Sequence, residues 1–290
     1  MHHVVRRIVS GLQELFLPLI AVGAIGLASL APAQAGERFI TLASTTSTDN
    51  SGLFAYLLPI FEAKTGIAVR VVAVGTGQAI RIAQNGDADV ILVHHKPSEE
   101  KLVADGHGIK RYDVMYNDFI VVGPADDPAG LATAANAADA FRRIGESAIP
   151  FTSRGDDSGT NKAEKALWKA SGIDPAAASG DWYRELGAGM GATLNAAVAM
   201  DAYALSDRGT WLGFANKGSH RIVYEGDKAL FNQYGVIVID PKKHPHVKVA
   251  DAQTFADWLI DPEGQAAIAA FRLHGEQAFF PNGRGAPVIN

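Results

Sequence analysis

The stretch Ser153-Arg154-Gly155-Asp156-Asp157-Ser158-Gly159-Thr160 sets one guanidinium, small hydroxyls and two glycines before a helical pattern over residues 161–171. Such a combination can hold an oxyanion. Unpaired N–H groups and the positive end of a helix dipole favour negative charge, glycines let the backbone approach it, and Arg154 adds a forked donor. Ser158 and Thr160 can each add a hydroxyl. The same residues also fit an ordinary cap, with Ser158 or Thr160 at the N-cap, Glu164 bonding back and Gly172 closing the C-terminus.

Two further segments repeat the arrangement. Ser44-Thr45-Thr46-Ser47-Thr48 follows an apolar run from Phe39 to Ala43 and precedes a helical pattern over residues 52–65. Gly75-Thr76-Gly77 follows the alternating run Val69 to Val74 and precedes a helical pattern from Gln78. Each loop alone is ordinary turn and cap chemistry. Three of them, each between a strand and a helix, suggest one shared site, because open α/β sheets bind ligands beyond the carboxyl ends of their strands. A fourth segment, Gly187 to Thr193, opens another helical pattern. Gly191 and Thr193 there can supply donors or simply belong to a turn.

These loops need a sheet behind them. Apolar runs at residues 88–93, 118–124, 221–224 and 234–239 read as further strands, the last stopped by Asp240-Pro241. Strands alternating with helices predict a parallel α/β architecture. If the strands near 118–124 and 234–239 are the two chain crossings, residues 36–118 and 234–290 form one discontinuous lobe and residues 119–233 a second.

Residues 1–35 read as a cleaved secretory signal peptide: Arg6 and Arg7, an apolar stretch from Leu15 to Leu30, then Ala33-Gln34-Ala35. The apolar run is also near the lower length for a membrane anchor. The chain carries a formal net charge of −5 and no cysteine. Disulfides and thiolate chemistry are excluded. The acidic balance, without a basic block, argues against nucleic acid, so any anion must be held by local donors against the global field.

The competing class is an exported serine-dependent hydrolase, with Ser153 or Ser158 as nucleophile. Gly-x-Ser-x-Gly is absent, however, and no histidine lies near either serine in sequence. His94 and His95 are adjacent, so on a strand they face opposite ways and do not share a metal. His244 and His246 sit in a proline- and lysine-rich turn. Trp168, Trp182 and Tyr183 read as core aromatics, and Asp156 and Asp157 as groups that orient Arg154 or cap the helix.

Thr45-Thr46-Ser47, Ala73 through Gly77, Gly86 through Val90, Met115 through Phe119, Ser153 through Thr160, Trp182-Tyr183, Gly189-Met190-Gly191 and Gly226-Asp227 together resemble the tungstate-binding periplasmic components of ABC importers, in order along nearly the whole exported chain. The Arg154, Ser158, Gly159, Thr160 spacing also resembles periplasmic phosphate-binding proteins. The resemblance implies a two-lobed, type II-like binding protein, with hinged α/β domains and a ligand cleft between them. It implies no catalysis, no cofactor and no bare metal cation. The ligand would be tungstate or molybdate, with phosphate or another tetrahedral oxyanion as the alternative. Carried over to this chain, its oxyanion-binding residues are Thr45, Thr46, Ser47, Thr76, Gly77, Ser153, Arg154, Ser158, Gly159, Thr160, Gly191 and Thr193. Permease and ATPase subunits are the implied partners, with no nucleic acid and no membrane insertion after signal cleavage, in a periplasmic or extracytoplasmic location. The family commonly carries threonine where this chain has Ser44.

Overall fold

The computed structural model describes residues 38–285, so the signal-peptide reading of residues 1–35 lies outside the described residues. In chain order the elements are β1 (Phe39–Thr45), α1 (Thr46–Asn50), α2 (Leu53–Thr65), β2 (Ala68–Val74), α3 (Thr76–Asn85), β3 (Val90–Val93), α4 (Lys96–Ala104) and β4 (Gly108–Pro124). There follow α5 (Ala137–Ser147), β5 (Phe151–Ser153), α6 (Gly159–Ser171), β6 (Tyr183–Glu185), α7 (Met190–Ala199), β7 (Tyr203–Asp207), α8 (Arg208–Gly213) and β8 (His220–Tyr224). The chain returns through β9 (Phe231–Ile239), α9 (Val249–Ile260) and α10 (Pro262–Ala270), with three two-residue strands at the end.

Strands joined through a helix pair in parallel: β1 lies between β2 and β3, and β5 between β6 and β7. The parallel pattern gives way at the crossings. β9 is antiparallel to both β3 and β4, and β4 is antiparallel to β7 and β8. The reason is topological: β4 and β9 run back and forth between two halves, so neither follows the right-handed crossover that makes strands parallel.

β4 is the spine. Residues 108–118 pair with β9, whereas Phe119–Pro124 pair with β7 and β8. Its first part alternates exposed Lys110 and Asp113 with half-buried residues, which hides it from a search for apolar runs, while Phe119–Pro124 are buried throughout. The core follows the same division. One set of buried side chains comes from residues 40–115 and 234–279, the other from residues 119–230. Two hydrophobic cores joined by two crossing strands make a two-lobed α/β fold.

Candidate functional site

Three of the helix starts meet around one histidine. At the first, Thr45 ends β1 and caps α1: its Oγ1 accepts from Thr48 N at 3.3 Å and lies 2.6 Å from Thr48 Oγ1 and 3.2 Å from Ser47 Oγ. The Thr46 and Ser47 amides then occupy the first turn, where no intrahelical acceptor exists. Thr46 is half-buried and Ser47 buried. Ser44 faces away from this work, because its hydroxyl donates to Leu92 O at 2.6 Å and pins β1 to β3.

At the second start, Gly75 caps α3 with no side-chain hydrogen bond, and Thr76 is fully buried with no partner for its hydroxyl. A methyl group at Gly77 would meet the carboxyl end of Asp157 from the other lobe, an exposed side chain that can turn aside, so the two loops lie close without demanding glycine there.

At the third start, α6 begins at Gly159, two residues earlier than the sequence pattern suggests, with Ser158 as its N-cap: Ser158 Oγ accepts from Asn161 N at 3.2 Å. Arg154 is buried and bridges Asp156 Oδ2 through Nη2 at 2.6 Å and Nε at 3.2 Å, while Asp156 Oδ1 accepts from Ser158 N. Asp156 thus orients Arg154 as expected. Asp157 pairs with Lys162. Thr160 is buried with an unpartnered Oγ1. Glu164 corrects the capping-box idea. It does not bond back to the helix start but accepts from Ser153 Oγ at 2.7 Å, Tyr183 OH at 2.7 Å and Trp168 Nε1 at 3.2 Å. Burial pushes this carboxyl up to about 7 against those three donors. The Ser153 hydroxyl is engaged inside the protein: its Oγ–H donates to Glu164, and its oxygen accepts from Asn161 Nδ2 at 3.2 Å.

The fourth start adjoins Arg154, since Ala188 N donates to Arg154 O at 3.0 Å just before Gly189 caps α7. Gly191 sits in the first turn with open space around it. Thr193 is engaged within the helix, its amide and its hydroxyl each donating to Gly189 O at 3.1 Å, so the donors this segment has to offer are the first-turn amides such as that of Gly191.

His94 lies at this meeting point, which its place in the sequence does not disclose. It follows β3 at the carboxyl end of a strand beside β1, which is the one local sign of its place. Its Nε2 lies 3.3 Å from Ser47 Oγ and its Nδ1 3.0 Å from Asn232 Oδ1, and its ring stacks on Tyr234 with centroids 4.8 Å apart. A methyl group at Gly159 would come within 2.8 Å of His94 Cε1 and 3.1 Å of Thr76 Oγ1. Loops from both lobes thus close on one point. Burial pushes the His94 imidazole down to about 4, opposed by the charge of Asp207 and the bond to Asn232.

A cavity of about 370 Å³ adjoins this point, lined by His94, Phe119, Gly159 and Asn232 among others. A larger one of about 910 Å³, between Tyr116, Arg208, Phe231 and Phe280, contains none of the hydroxyl loops. Of the predicted donor residues only Gly159 lines the smaller cavity, so the candidate site is the buried meeting of the helix starts beside it rather than either cavity. Among the described residues no group of three or more His, Cys, Asp or Glu is placed to hold a metal. No helix among them is long and apolar enough to cross a membrane.

A PBP superfamily domain matches residues 30–263. A putative ABC transporter anion-binding protein of Haloferax volcanii is 49% identical over 248 residues, 84% of this chain and 72% of that protein. The tungstate-binding protein TupA of Peptoclostridium acidaminophilum is 47% identical over 247 residues, 84% of this chain and 85% of the relative. Of solved structures, the tungstate ABC transporter protein from Geobacter sulfurreducens matches with a TM-score of 0.74 at 46% identity, over 81% of this chain and 99% of that one. The tungstate-binding protein TupA of Desulfovibrio alaskensis G20 also gives 0.74, at 41% identity, over 85% and 100% of the two chains.

Proposed function

The chain belongs to the PBP superfamily, in the family that holds the tungstate-binding TupA proteins, and from that premise we propose that it captures tungstate, or molybdate, for an ABC importer. It is a binding protein rather than an enzyme. The observation that carries the reading is the meeting of the helix starts at Thr46, Thr76 and Gly159, with buried Arg154 beside them and two buried hydroxyls, Thr76 and Thr160, that have no protein partner. The ligand donors would be the Thr45–Ser47, Thr76–Gly77 and Arg154–Thr160 segments with the Gly191 backbone. The lobes would be residues 36–118 with 234–290, and 119–233, closing about β4 and β9. Export by residues 1–35 and docking to a permease with its ATPase complete the proposal.

The donor set favours an unprotonated dianion. Asp156 and Asp157 are both engaged, with Arg154 and Ser158 N and with Lys162. A protonated phosphate would therefore meet donors and no free carboxylate, whereas tungstate and molybdate can accept at all four oxygens. Sulfate is smaller and reaches fewer donors at good geometry. Competition calorimetry near neutral pH should rank tungstate first, molybdate next, and phosphate and sulfate far behind. Phosphate displacing tungstate at comparable concentration would overturn the assignment in favour of a phosphate receptor. Solution scattering should show a more compact protein with saturating tungstate.

A further inference from the structure

We infer that His94 is a positioning residue for the bound anion: a proton on its Nε2 turns the Ser47 hydroxyl towards the ligand, so anion capture is coupled to proton uptake. The direction follows from how the Asn232 amide is set. With Asn232 oriented so that its Nδ2 donates to Asn117 Oδ1 at 2.6 Å, its Oδ1 is left as acceptor, and His94 Nδ1 must carry the hydrogen that spans the 3.0 Å between them. In the neutral ring Nε2 is then a bare lone pair, and the Ser47 Oγ–H points at it. Protonation reverses that bond. Nε2–H donates to Ser47 Oγ, and the Ser47 hydrogen is released to an oxygen acceptor in the site.

The charges around the ring make this reversal responsive to ligand. Asp207, at the end of β7, favours the imidazolium, while Arg154 and the neighbouring His95 oppose it. Tyr234 on β9 stacks on the ring, Phe119 on β4 lies 6.3 Å away, and Ser47 and Asn232 are neutral. Burial keeps the ring neutral in the free protein. A dianion brings two negative charges to a site whose one guanidinium already faces Asp156, and a nearby negative charge favours the protonated ring. By linkage, what favours the proton on anion binding favours the anion on protonation.

This inference rests on the oxyanion reading, and one experiment separates the two. Sodium tungstate is titrated into the protein by calorimetry between pH 6.5 and 8.5, in buffers of different ionisation enthalpy. The wild type should take up protons as it binds, more at pH 6.5 than at pH 8.5, with affinity rising on acidification by at most about tenfold per pH unit. His94→Gln should bind more weakly, without proton uptake and with a flat pH profile. In wild-type protein with labelled histidine, the His94 Nε2 resonance should move from an acceptor nitrogen to an N–H donor on saturation, a readout that needs no variant. Tungstate binding with no proton exchange, uptake that persists in His94→Gln, or an unmoved Nε2 resonance would overturn the inference and leave the oxyanion reading standing. Wild-type protein that does not bind tungstate overturns both.

Discussion

The helix starts at Gly159 and at Thr76 face each other across one contact, yet they hold their polar groups differently. Around Gly159 nearly everything is braced: Arg154 by Asp156, the helix start by Ser158, and Ser153 by Glu164, which Tyr183 and Trp168 also hold. Around Thr76 the groups are neutral and less committed. Gly75 provides no side-chain cap, the Thr76 hydroxyl has no partner, and Thr45, Ser47 and Thr48 share bonds whose donor and acceptor can exchange. One half fixes charge and geometry before ligand arrives, and the other offers hydroxyls that can turn to meet it. Preorganised charge should contribute most of the affinity and re-orientable hydroxyls the fit.

The largest effect expected is at Arg154. Truncating one partner of a buried charge pair costs about 2–5 kcal/mol, so Arg154→Ala should weaken tungstate binding at least roughly tenfold. Arg154→Lys should recover only part, because an ammonium lacks the fork. Asp156→Asn in the Arg154→Ala background tests whether the loss is the missing cation or the stranded carboxylate. Equal losses for Arg154→Ala and Thr76→Val in calorimetry would break the contrast between the halves.

The braced half also makes a pH prediction about stability. Glu164 is raised to about 7 from 4.5, so between those values the folded protein binds more protons than the unfolded chain. Stability is then greatest below the unfolded value and falls as pH rises through about 7, by on the order of 3 kcal/mol for this group alone. Glu99 is raised in the same direction by burial, with Arg111 opposing, so wild-type denaturation curves will contain both. Glu164→Gln should flatten the wild-type decline in denaturant midpoint between pH 5 and 8. An unchanged slope would mean that the Ser153, Tyr183 and Trp168 bonds keep Glu164 ionised.

How much of this was legible beforehand divides along physical lines. β1, β2, the Ser158 cap and the role of Asp156 are local, written in apolar runs and side-chain chemistry a few residues apart, and they could be read directly. The first half of β4 could not, because exposed Lys110 and Asp113 and the half-buried Arg111, paired with Glu99, interrupt any apolar run. Neither could the antiparallel entry of β9, which is set by chain crossings. Within the site, Ser153 and Thr193 have the right chemistry but are claimed by Glu164 and Gly189. His94 acts only through Ser47, Asn232 and Tyr234, residues distant in sequence.

Closure can be probed where the halves touch. In Gly159→Ala the added methyl would press on His94 and Thr76 from the other lobe, so the closed form should suffer more than either lobe's fold. Tungstate affinity should fall about tenfold, the cost of one tight contact, and scattering at saturating ligand should shift towards the open form. Gly213→Ala, at the exposed end of α8, is the control, with nothing within 4 Å of the added methyl. A similar loss of affinity in both variants would mean that the Gly159 effect is not specific to the contact between lobes.

The smallest effect is also the most selective. Thr160 Oγ1 is buried without a partner, so Thr160→Val removes an unsatisfied group and should leave the ligand-free protein equally or slightly more stable. It should also weaken tungstate binding severalfold, since a hydrogen bond to a charged group contributes about 1.5–3 kcal/mol, offset here by the desolvation relieved. Ser153→Ala should do the opposite. Its hydroxyl is satisfied by Glu164, so its loss strands a buried acceptor, lowers stability by about 1–3 kcal/mol and barely changes affinity. Thermal unfolding and calorimetry on the two variants therefore give crossed results if Thr160 serves the ligand and Ser153 serves the fold. If Ser153→Ala instead loses affinity at unchanged stability, the hydroxyl reaches the anion in the closed complex, and the division between a braced and an adaptable half fails at a fully buried residue of the braced half.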